Sequence, residues 1–174
     1  MTWQIDPVHS NATFSVKHAM VATVRGQFKV VSGTLEIDEE HPENSSIEAQ
    51  AETASIDTRD PNRDAHLRSP DFFEADKYPT ITFKSTKVEA TGNNTYRVVG
   101  ILDMHGVQKE VTLDAEYAGQ GKDPYGNTRA GLSATTRINR KDFGLNWNAA
   151  LEAGGVLVSD AVKMEIDLSA INKG

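Results

Sequence analysis

Apolar residues occupy every second position over much of the chain, which is the pattern of β-strands that bury one face and expose the other. The clearest run extends from Glu110 to Tyr117, where the odd positions are apolar and the even positions are polar or charged. The same alternation places the following residues on buried faces: Ala12, Phe14, Val16; Ile81, Phe83; Ala130, Leu132, Ala134; Val162, Met164, Ile166 and Leu168. We predict about eight or nine strands from these runs.

Clusters of turn-forming residues separate the strand-like runs and predict short connections between them. They are Ser32-Gly33, 40–44, 92–94, His105-Gly106 and 123–127. The buried positions change from even numbers at Phe28 and Val30 to odd numbers at Leu35 and Ile37. Because such a change requires an extra or rearranged residue, we expect a bulge or tight turn at residues 31–33.

Residues 60–74 depart from the strand pattern and predict a short helical segment. Asp60-Pro61 and Ser69-Pro70 each place a capping residue before a proline suited to the first helical position, so two short helical turns are expected. One short helix cannot cover the edges of a sheet of about eight strands, whereas closure removes those edges. We therefore predict an all-β fold: a single antiparallel β-barrel domain over residues 1–174.

Composition and charge narrow the possible partners. The chain has 174 residues, 38% of them hydrophobic and 25% charged, which fits one globular domain and argues against membrane insertion or disorder. A net charge of -7 repels phosphate backbones, so no nucleic-acid partner is expected. The chain has no cysteine, which excludes disulfides and thiolate chemistry. Its first residues lack a signal-peptide pattern, so the expected location is cytoplasmic, or periplasmic for a processed form.

Motifs for metal binding and catalysis are weak. The carboxylates from Asp60 to Asp71 imitate the spacing of a calcium loop, but Ala65 occupies the position that requires glycine. A capped helical turn, in which Arg63 and Arg68 pair with neighbouring acids, is the favoured interpretation. The five histidines lack a close metal-ligand spacing, and neither a Gly-x-Ser-x-Gly elbow nor a phosphate-binding loop is present. We predict no metal, no cofactor and no catalytic residue.

The predicted barrel interior combines large and very small side chains. Its inward positions include Phe14, Phe28, Phe83 and Tyr117 together with Ala12, Ala49, Ala51, Ala115, Ala130 and Ala134. Small residues on facing strands leave an elongated void unless other side chains fill it. A hydrocarbon tail of about twenty carbons would gain ~16 kcal/mol from burial there, before the costs of association. A tightly filled barrel remains the alternative.

Two polar residues fall on inward positions of this pattern. His18 continues the face of Phe14 and Val16, and Asp160 continues the face of Val162. An inward histidine is commonly hydrogen-bonded within a core, but it can also orient a ligand. An inward carboxylate needs a basic partner or a ligand head group.

Ordered motifs along almost the whole chain resemble one known family. They are Ile5-Asp6-Pro7 with His9-Ser10, Phe14-Ser15-Val16-Lys17-His18, Arg25-Gly26-Gln27-Phe28, Ser55-Ile56-Asp57-Thr58, Arg63-Asp64-Ala65-His66-Leu67-Arg68-Ser69-Pro70-Asp71-Phe72-Phe73, Tyr78-Pro79-Thr80-Ile81-Thr82-Phe83, His105-Gly106, Arg140-Lys141-Asp142-Phe143-Gly144-Leu145-Asn146-Trp147-Asn148 and Gly154-Gly155-Val156 leading to Asp160. The chain resembles the YceI-like polyisoprenoid-binding proteins. The resemblance implies a lipocalin-like barrel that holds a long isoprenoid or comparable lipid, often in a dimer and without catalysis.

We therefore expect a protein that binds and sequesters or transports a long-chain amphiphile, such as a polyisoprenoid or an isoprenoid quinone, and the resemblance implies a homodimer. The predicted ligand-binding residues are Phe14, Val16, His18, Phe28, Ala49, Ala51, Arg68, Phe83, Leu113, Phe143, Trp147, Leu151 and Asp160. Of these, His18, Arg68 and Asp160 are assigned to the polar end. Two alternatives remain: a hydrolase or isomerase of such lipids that uses His18 and Asp160, and an adhesion or stress-response module with a filled barrel.

Overall fold

The computed structural model describes residues 2–148 and 158–173. Its strands are β1 (Thr2–Ile5), β2 (Asn11–His18), β3 (Ala22–Phe28), β4 (Val31–Glu36), β5 (Ser46–Glu52), β6 (Ile56–Asp57), β7 (Thr80–Gly92), β8 (Thr95–Met104), β9 (Val107–Lys122), β10 (Thr128–Asn139) and β11 (Ala161–Asn172). One helix, α1 (Pro61–Arg68), lies between β6 and β7. Short 3-10 turns cover Pro7–His9, Pro42–Asn44, Thr53–Ser55 and Arg140–Phe143.

The strands form one closed antiparallel barrel. Strand β1 pairs with both β4 and β11, while β2 pairs with β3 and with the preceding part of β11, so β1 and β2 act as one bent strand. In the same way, β3 and β4 form one bent strand, and β5 and β6 form another. Counted in this way, eight strands follow one another around the barrel in sequence order. The structure confirms the predicted fold.

Two ends of the barrel are used as landmarks below. The helix end carries α1, the β8–β9 turn at His105-Gly106 and the 3-10 turn Arg140–Phe143. The far end carries the β4–β5 connection at residues 37–45 and the β7–β8 and β9–β10 turns. In the part of the chain that is described, no helix has the length and apolar character needed to cross a bilayer.

The change in buried positions near residue 30 arises from a strand bend, not from a bulge at residues 31–33. Strand β4 pairs with β5 without interruption from Val31 onwards, and the change occurs between β3 and β4. Gly33 was also expected in a turn, but it lies within β4 at a φ of +139°. A Cβ at Gly33 would lie 2.0 Å from the carbonyl oxygen of Glu48, so glycine permits a close approach of two strands there.

The predicted helical segment is one helix followed by a non-helical turn. The Asp60 carboxylate accepts hydrogen bonds from the backbone N–H groups of Asn62 and Arg63, and Pro61 occupies the first helical position. Ser69 does not start a second helical turn, because it ends α1 and its N–H donates to the carbonyl of His66. The side chain of Arg63 donates to Thr58, not to a neighbouring acid.

A partly buried ion network joins the β1–β2 bend to the β9–β10 turn. The Arg129 guanidinium donates to the Asp6 carboxylate at 2.8 Å and to the Asp123 carboxylate at 2.7 Å. Hydrogen bonds from His9 and Arg129 lower the pKa of Asp6 to about 2. Burial alone would raise the pKa of Asp123, but hydrogen bonds from Arg129 and Asn127 outweigh it and lower the value to about 2.

Arg140 fixes the chain at the helix end. Its side chain is 4% exposed and donates to the carbonyl oxygens of Leu145 at 2.6 Å and Trp147 at 2.8 Å. The same guanidinium donates to the carbonyls of Val158 at 3.3 Å and Ser159 at 2.9 Å. One side chain therefore satisfies four backbone acceptors on both sides of residues 149–157.

The Asp6 network predicts acid sensitivity. An unfolded aspartate has a pKa of about 3.9, so a folded value of about 2 gives stability that is complete above pH ~4 and is lost as the pH falls toward ~2. We expect Asp6→Asn to flatten the fall in the free energy of unfolding over this interval, measured by urea denaturation across pH. Asp76→Asn, a change at an exposed aspartate, should leave the slope unchanged. Equal slopes for native protein and Asp6→Asn would contradict the assignment.

The Arg140 contacts predict a large loss of stability for a conservative change. Lysine keeps the charge but cannot reproduce the planar fork of donors, so several buried carbonyls lose their partner in Arg140→Lys. We expect the free energy of unfolding to fall by about 3 kcal/mol. Its neighbour Lys141, half exposed, provides the control, since Lys141→Met should change stability by less than about 0.5 kcal/mol. Similar losses in both variants would show that the four carbonyl contacts are unimportant.

Candidate functional site

The barrel encloses an apolar central cavity. About 880 Å³ of space free of protein atoms lies there, counted out to its opening toward solvent. Its wall consists of Ala12, Phe28, Val31, Ile47, Ala49, Gln50, Ala51, Ile81, Phe83, Val98, Leu102, Val111, Leu113, Ala115, Leu132, Ala134, Thr136, Met164, Ile166 and Leu168. Only Gln50 and Thr136 in this wall have polar side chains. The cavity therefore suits hydrocarbon.

A second cavity of about 640 Å³ continues toward the far end. Ile47, Val98, Ala115 and Leu132 contribute to the walls of both cavities, so the two adjoin along the barrel. Carboxylates of the β4–β5 connection, including that of Glu39, border the second cavity. Together the cavities form an elongated space that is apolar in the centre and polar at the far end.

Small residues on neighbouring strands create the central space. Ala49 lies opposite Phe83 on β5 and β7, and Ala115 lies opposite Ala134 on β9 and β10. Both alanine positions on β9 and β10 are buried, so the gap is not an exposed surface groove. The prediction that small inward residues leave the barrel interior partly unfilled is confirmed.

A polar cluster at the far end was not foreseen from the sequence. The Tyr117 hydroxyl donates to a Glu39 carboxylate oxygen at 2.8 Å, and the Gln120 side chain donates to the same oxygen at 2.7 Å. Burial, followed by the hydrogen bond to Glu39, raises the pKa of Tyr117 to about 12. The phenol therefore stays protonated and serves as a donor at neutral pH. Glu39 lies in a turn-rich connection, where hydrophobic periodicity gives no information about side-chain direction.

Aromatic rings pack together at the helix end. The Trp147 ring centroid lies 4.8 Å from that of His66 on α1 and 5.2 Å from that of Phe72. Phe73 contacts Phe28 edge to face, with centroids 5.7 Å apart. Since Phe28 lines the central cavity, the segment after α1 packs directly against the cavity wall.

The β8–β9 turn is held at the same end. The His105 Nδ1–H group donates to the Phe143 carbonyl at 2.9 Å, and the rings of Tyr78 and His105 lie 4.9 Å apart. Gly106 has a φ of +74°, and a Cβ there would lie 2.6 Å from the Tyr78 ring. These motif residues therefore hold a turn in place, and they do not line the cavity.

Five of the predicted ligand-binding residues lie in the central cavity wall: Phe28, Ala49, Ala51, Phe83 and Leu113. Phe14 lies beside that wall, with its ring centroid 5.7 Å from that of Phe28. Val16 and His18 are half-buried on the β2–β3 hairpin and contribute to neither cavity wall. Whether these residues contact a ligand remains a prediction.

The other predicted residues that the structure describes lie outside the two cavity walls. Phe143 is 1% exposed and belongs to the core. Arg68 is half-buried on α1, where its carbonyl accepts a hydrogen bond from Ala75. Leu151 falls outside the described residues.

The expectation of an inward Asp160 was wrong. Its side chain is 46% exposed, and one carboxylate oxygen lies 3.4 Å from the Lys141 Nζ atom and 3.9 Å from an Arg140 Nη atom. The alternation that includes Val162 does not extend to Asp160, because β11 begins at Ala161. Within residues 2–148 and 158–173, no three His, Asp or Glu side chains are grouped in a way that could hold a metal ion.

Comparison with known proteins places this geometry in a family. The model of the YceI-like domain matches residues 3–170. A UPF0312 protein of Vibrio parahaemolyticus is 37% identical over 165 residues, or 95% of this chain and 83% of that protein. A UPF0312 protein of Pseudomonas putida is 42% identical over 142 residues, or 82% of this chain and 74% of that protein.

Solved structures show the same architecture. The crystal structure of a Campylobacter jejuni YceI protein matches with a TM-score of 0.77 and 32% identity, over 91% of this chain and 90% of that one. A polyisoprenoid binding domain from Saccharophagus degradans, implicated in plant cell wall breakdown, matches with a TM-score of 0.69 over 97% of each chain. At 17% identity, the second likeness concerns the fold alone. By its sequence and by its fold, the chain belongs to the YceI-like domain family.

Proposed function

We propose that this protein binds the tail of one long-chain amphiphile, an isoprenoid or comparable lipid, inside the barrel and so sequesters or carries it. The observation that carries the proposal is the central cavity in the barrel, whose wall has only two polar side chains. The structural likeness to a domain that is named for binding polyisoprenoids agrees with this choice of ligand class.

The shape of the interior favours a long tail over a compact ligand. Strand β10 lines the two adjoining cavities from Ala130 to Thr136, which at ~3.3 Å per residue is ~20 Å along the strand. Each buried methylene contributes ~0.8 kcal/mol, so about ten of them gain ~8 kcal/mol, comparable to the cost of immobilising a ligand. Affinity then rises with tail length until the space is filled.

The same wall supports binding without chemistry. Its polar members, Gln50 and Thr136, do not titrate near neutral pH and cannot act as a general acid or base there. For the polar end of the ligand we propose His18 and Arg68, which are half-buried at the helix end, outside the walls of both cavities.

The first test identifies the cargo directly. Protein purified without detergent should release about one long-chain lipid per chain into organic solvent, as quantified by mass spectrometry. Because binding depends on the folded cavity, protein that was unfolded in urea and washed before extraction should release none. An empty extract from native protein, together with failure to take up added polyprenol, would contradict the proposal.

The second test blocks the cavity from within. Ala115 belongs to both cavity walls, so the phenyl ring in Ala115→Phe should obstruct their junction and weaken uptake of a fluorescent polyprenol at least about tenfold. Ala118→Phe places the same ring on an exposed position of β9 and should preserve uptake. Ala134→Phe, opposite Ala115, provides a second obstruction, and thermal unfolding shows which variants are folded. Full affinity in folded Ala115→Phe and Ala134→Phe would place the ligand elsewhere.

A further inference from the structure

The β2–β3 hairpin extends beyond the barrel wall at the helix end. The two strands remain paired up to His18 and Ala22, whereas the β11 ladder on β2 ends at Ser15. On the other side, β6 pairs with only the last two residues of β3. Beyond the ladder, one bridge to Val158 and hydrogen bonds with Ser159 connect the hairpin to the rest of the described chain. Within the described residues, the tip therefore extends beyond the paired part of the wall.

The hairpin tip presents apolar side chains to solvent. Met20 is 59% exposed and Val21 is 84% exposed. Ala19 and Met20 have φ values of 51° and 67°, in the left-handed region that Asn and Gly adopt most easily. The backbone of this turn favours Asn or Gly, and its exposure favours polar residues. The turn contains neither.

The segment that contains this tip is locally basic, although Asp57 and Glu165 of other strands lie near Arg25 and the Asp57 carboxylate pairs with Lys29 at 3.8 Å. No Asp or Glu occurs between Asp6 and Glu36, although the chain carries a net charge of -7. The same stretch contains Lys17, Arg25 and Lys29, all of them exposed. Lys17 and Arg25 lie on the two hairpin strands, on either side of the apolar tip. The hairpin therefore combines an exposed apolar tip, Met20 and Val21, with basic side chains on both of its strands.

We propose that this hairpin docks on the surface of an anionic lipid bilayer, with Met20 and Val21 entering the interfacial region and Lys17 and Arg25 contacting lipid phosphates. Apolar insertion combined with nearby cations is the mode by which peripheral proteins bind such surfaces. It is shallow, unlike the membrane insertion that the composition argues against.

Docking at this position connects the bilayer to the cavity. Ala12 and Phe28 form the paired base of the hairpin, and both line the central cavity. A docked hairpin would bring the helix end of the barrel to the membrane, where a long-chain lipid is taken up or delivered. This role in transfer depends on the proposed function, whereas the docking itself depends only on the hairpin.

A site-specific probe tests whether the tip enters the bilayer. The chain has no cysteine, so Val21→Cys and Val8→Cys can each be labelled at one site with an environment-sensitive fluorophore. Val8 is also 84% exposed but lies next to Asp6, away from the hairpin tip. We expect the label at position 21, but not that at position 8, to shift to the blue with vesicles of phosphatidylglycerol and phosphatidylcholine. Vesicles of phosphatidylcholine alone should have little effect.

Variants separate the two contributions to docking. Met20→Ser with Val21→Ser, and separately Lys17→Gln with Arg25→Gln, should each weaken cosedimentation with the anionic vesicles about tenfold or more. Val8→Ser with Tyr125→Ser removes equally exposed apolar groups elsewhere and should change binding less than about twofold. Absence of vesicle binding by native protein, or binding that is unaffected by the tip variants, would overturn the proposal. A blue shift that depends on protein concentration without vesicles would do the same, by showing that a second copy covers the tip.

Cargo measurements distinguish this proposal from the previous one. Polyprenol added from ethanol bypasses the bilayer, so the tip variants should take it up with native affinity. If native protein contains no lipid and takes up none, but binds vesicles through the tip, the proposed function fails and docking stands. If native protein binds polyprenol but not vesicles, docking alone is overturned.

Discussion

The pairing of the first and last strands is the constraint on which the structure depends. Strands β1 and β2, at the start of the chain, both pair with β11, at its end. The sheet therefore closes, and the first and last strands donate and accept backbone hydrogen bonds with each other. Once the ladder sets the diameter, inward side chains no longer have to touch across the interior to keep the wall in place. Alanines can then face an unfilled space without the wall collapsing onto them, and that space is what a hydrocarbon tail can occupy.

Much of the fold could be predicted because alternation reports directly which face of a strand is buried. The run from Val111 to Tyr117 and the run from Met164 to Leu168 both line the interior as expected. Alternation carries information only inside a regular strand, and Asp160 lies just before one, so its predicted direction was wrong. Gly33 was misplaced in a turn for a related reason: the sequence shows a glycine, but not the neighbouring carbonyl that leaves no room for a side chain there.

The parts of the site that were missed depend on contacts between distant segments. Glu39 meets Tyr117 and Gln120 across more than seventy positions of sequence, and no local pattern encodes such a pairing. Arg140 was recognised within a motif, but its role follows from four carbonyls that only the folded chain brings together. Several family motif residues, including His105 and Tyr78, maintain the helix end and do not line the cavity. A motif can thus identify a family through residues that support the site from outside.

The three strand breaks, at residues 6–10, 29–30 and 53–55, have a mechanical consequence. The breaks at 29–30 and 53–55 are joined by hydrogen bonds of Val30 with Glu52 and Ser55, and the pairing of β1 with β4 and of β2 with β3 places the break at 6–10 beside 29–30. They therefore form a crease across one half of the wall, whereas β8 to β11 each continue as one strand through the other half, with one register shift between β9 and β10 at Gly131 and Leu132. Opening along the crease disrupts fewer ladder hydrogen bonds than opening anywhere in the continuous half. The creased half of the wall is therefore the half that opens at the lower cost, because fewer ladder hydrogen bonds are lost there.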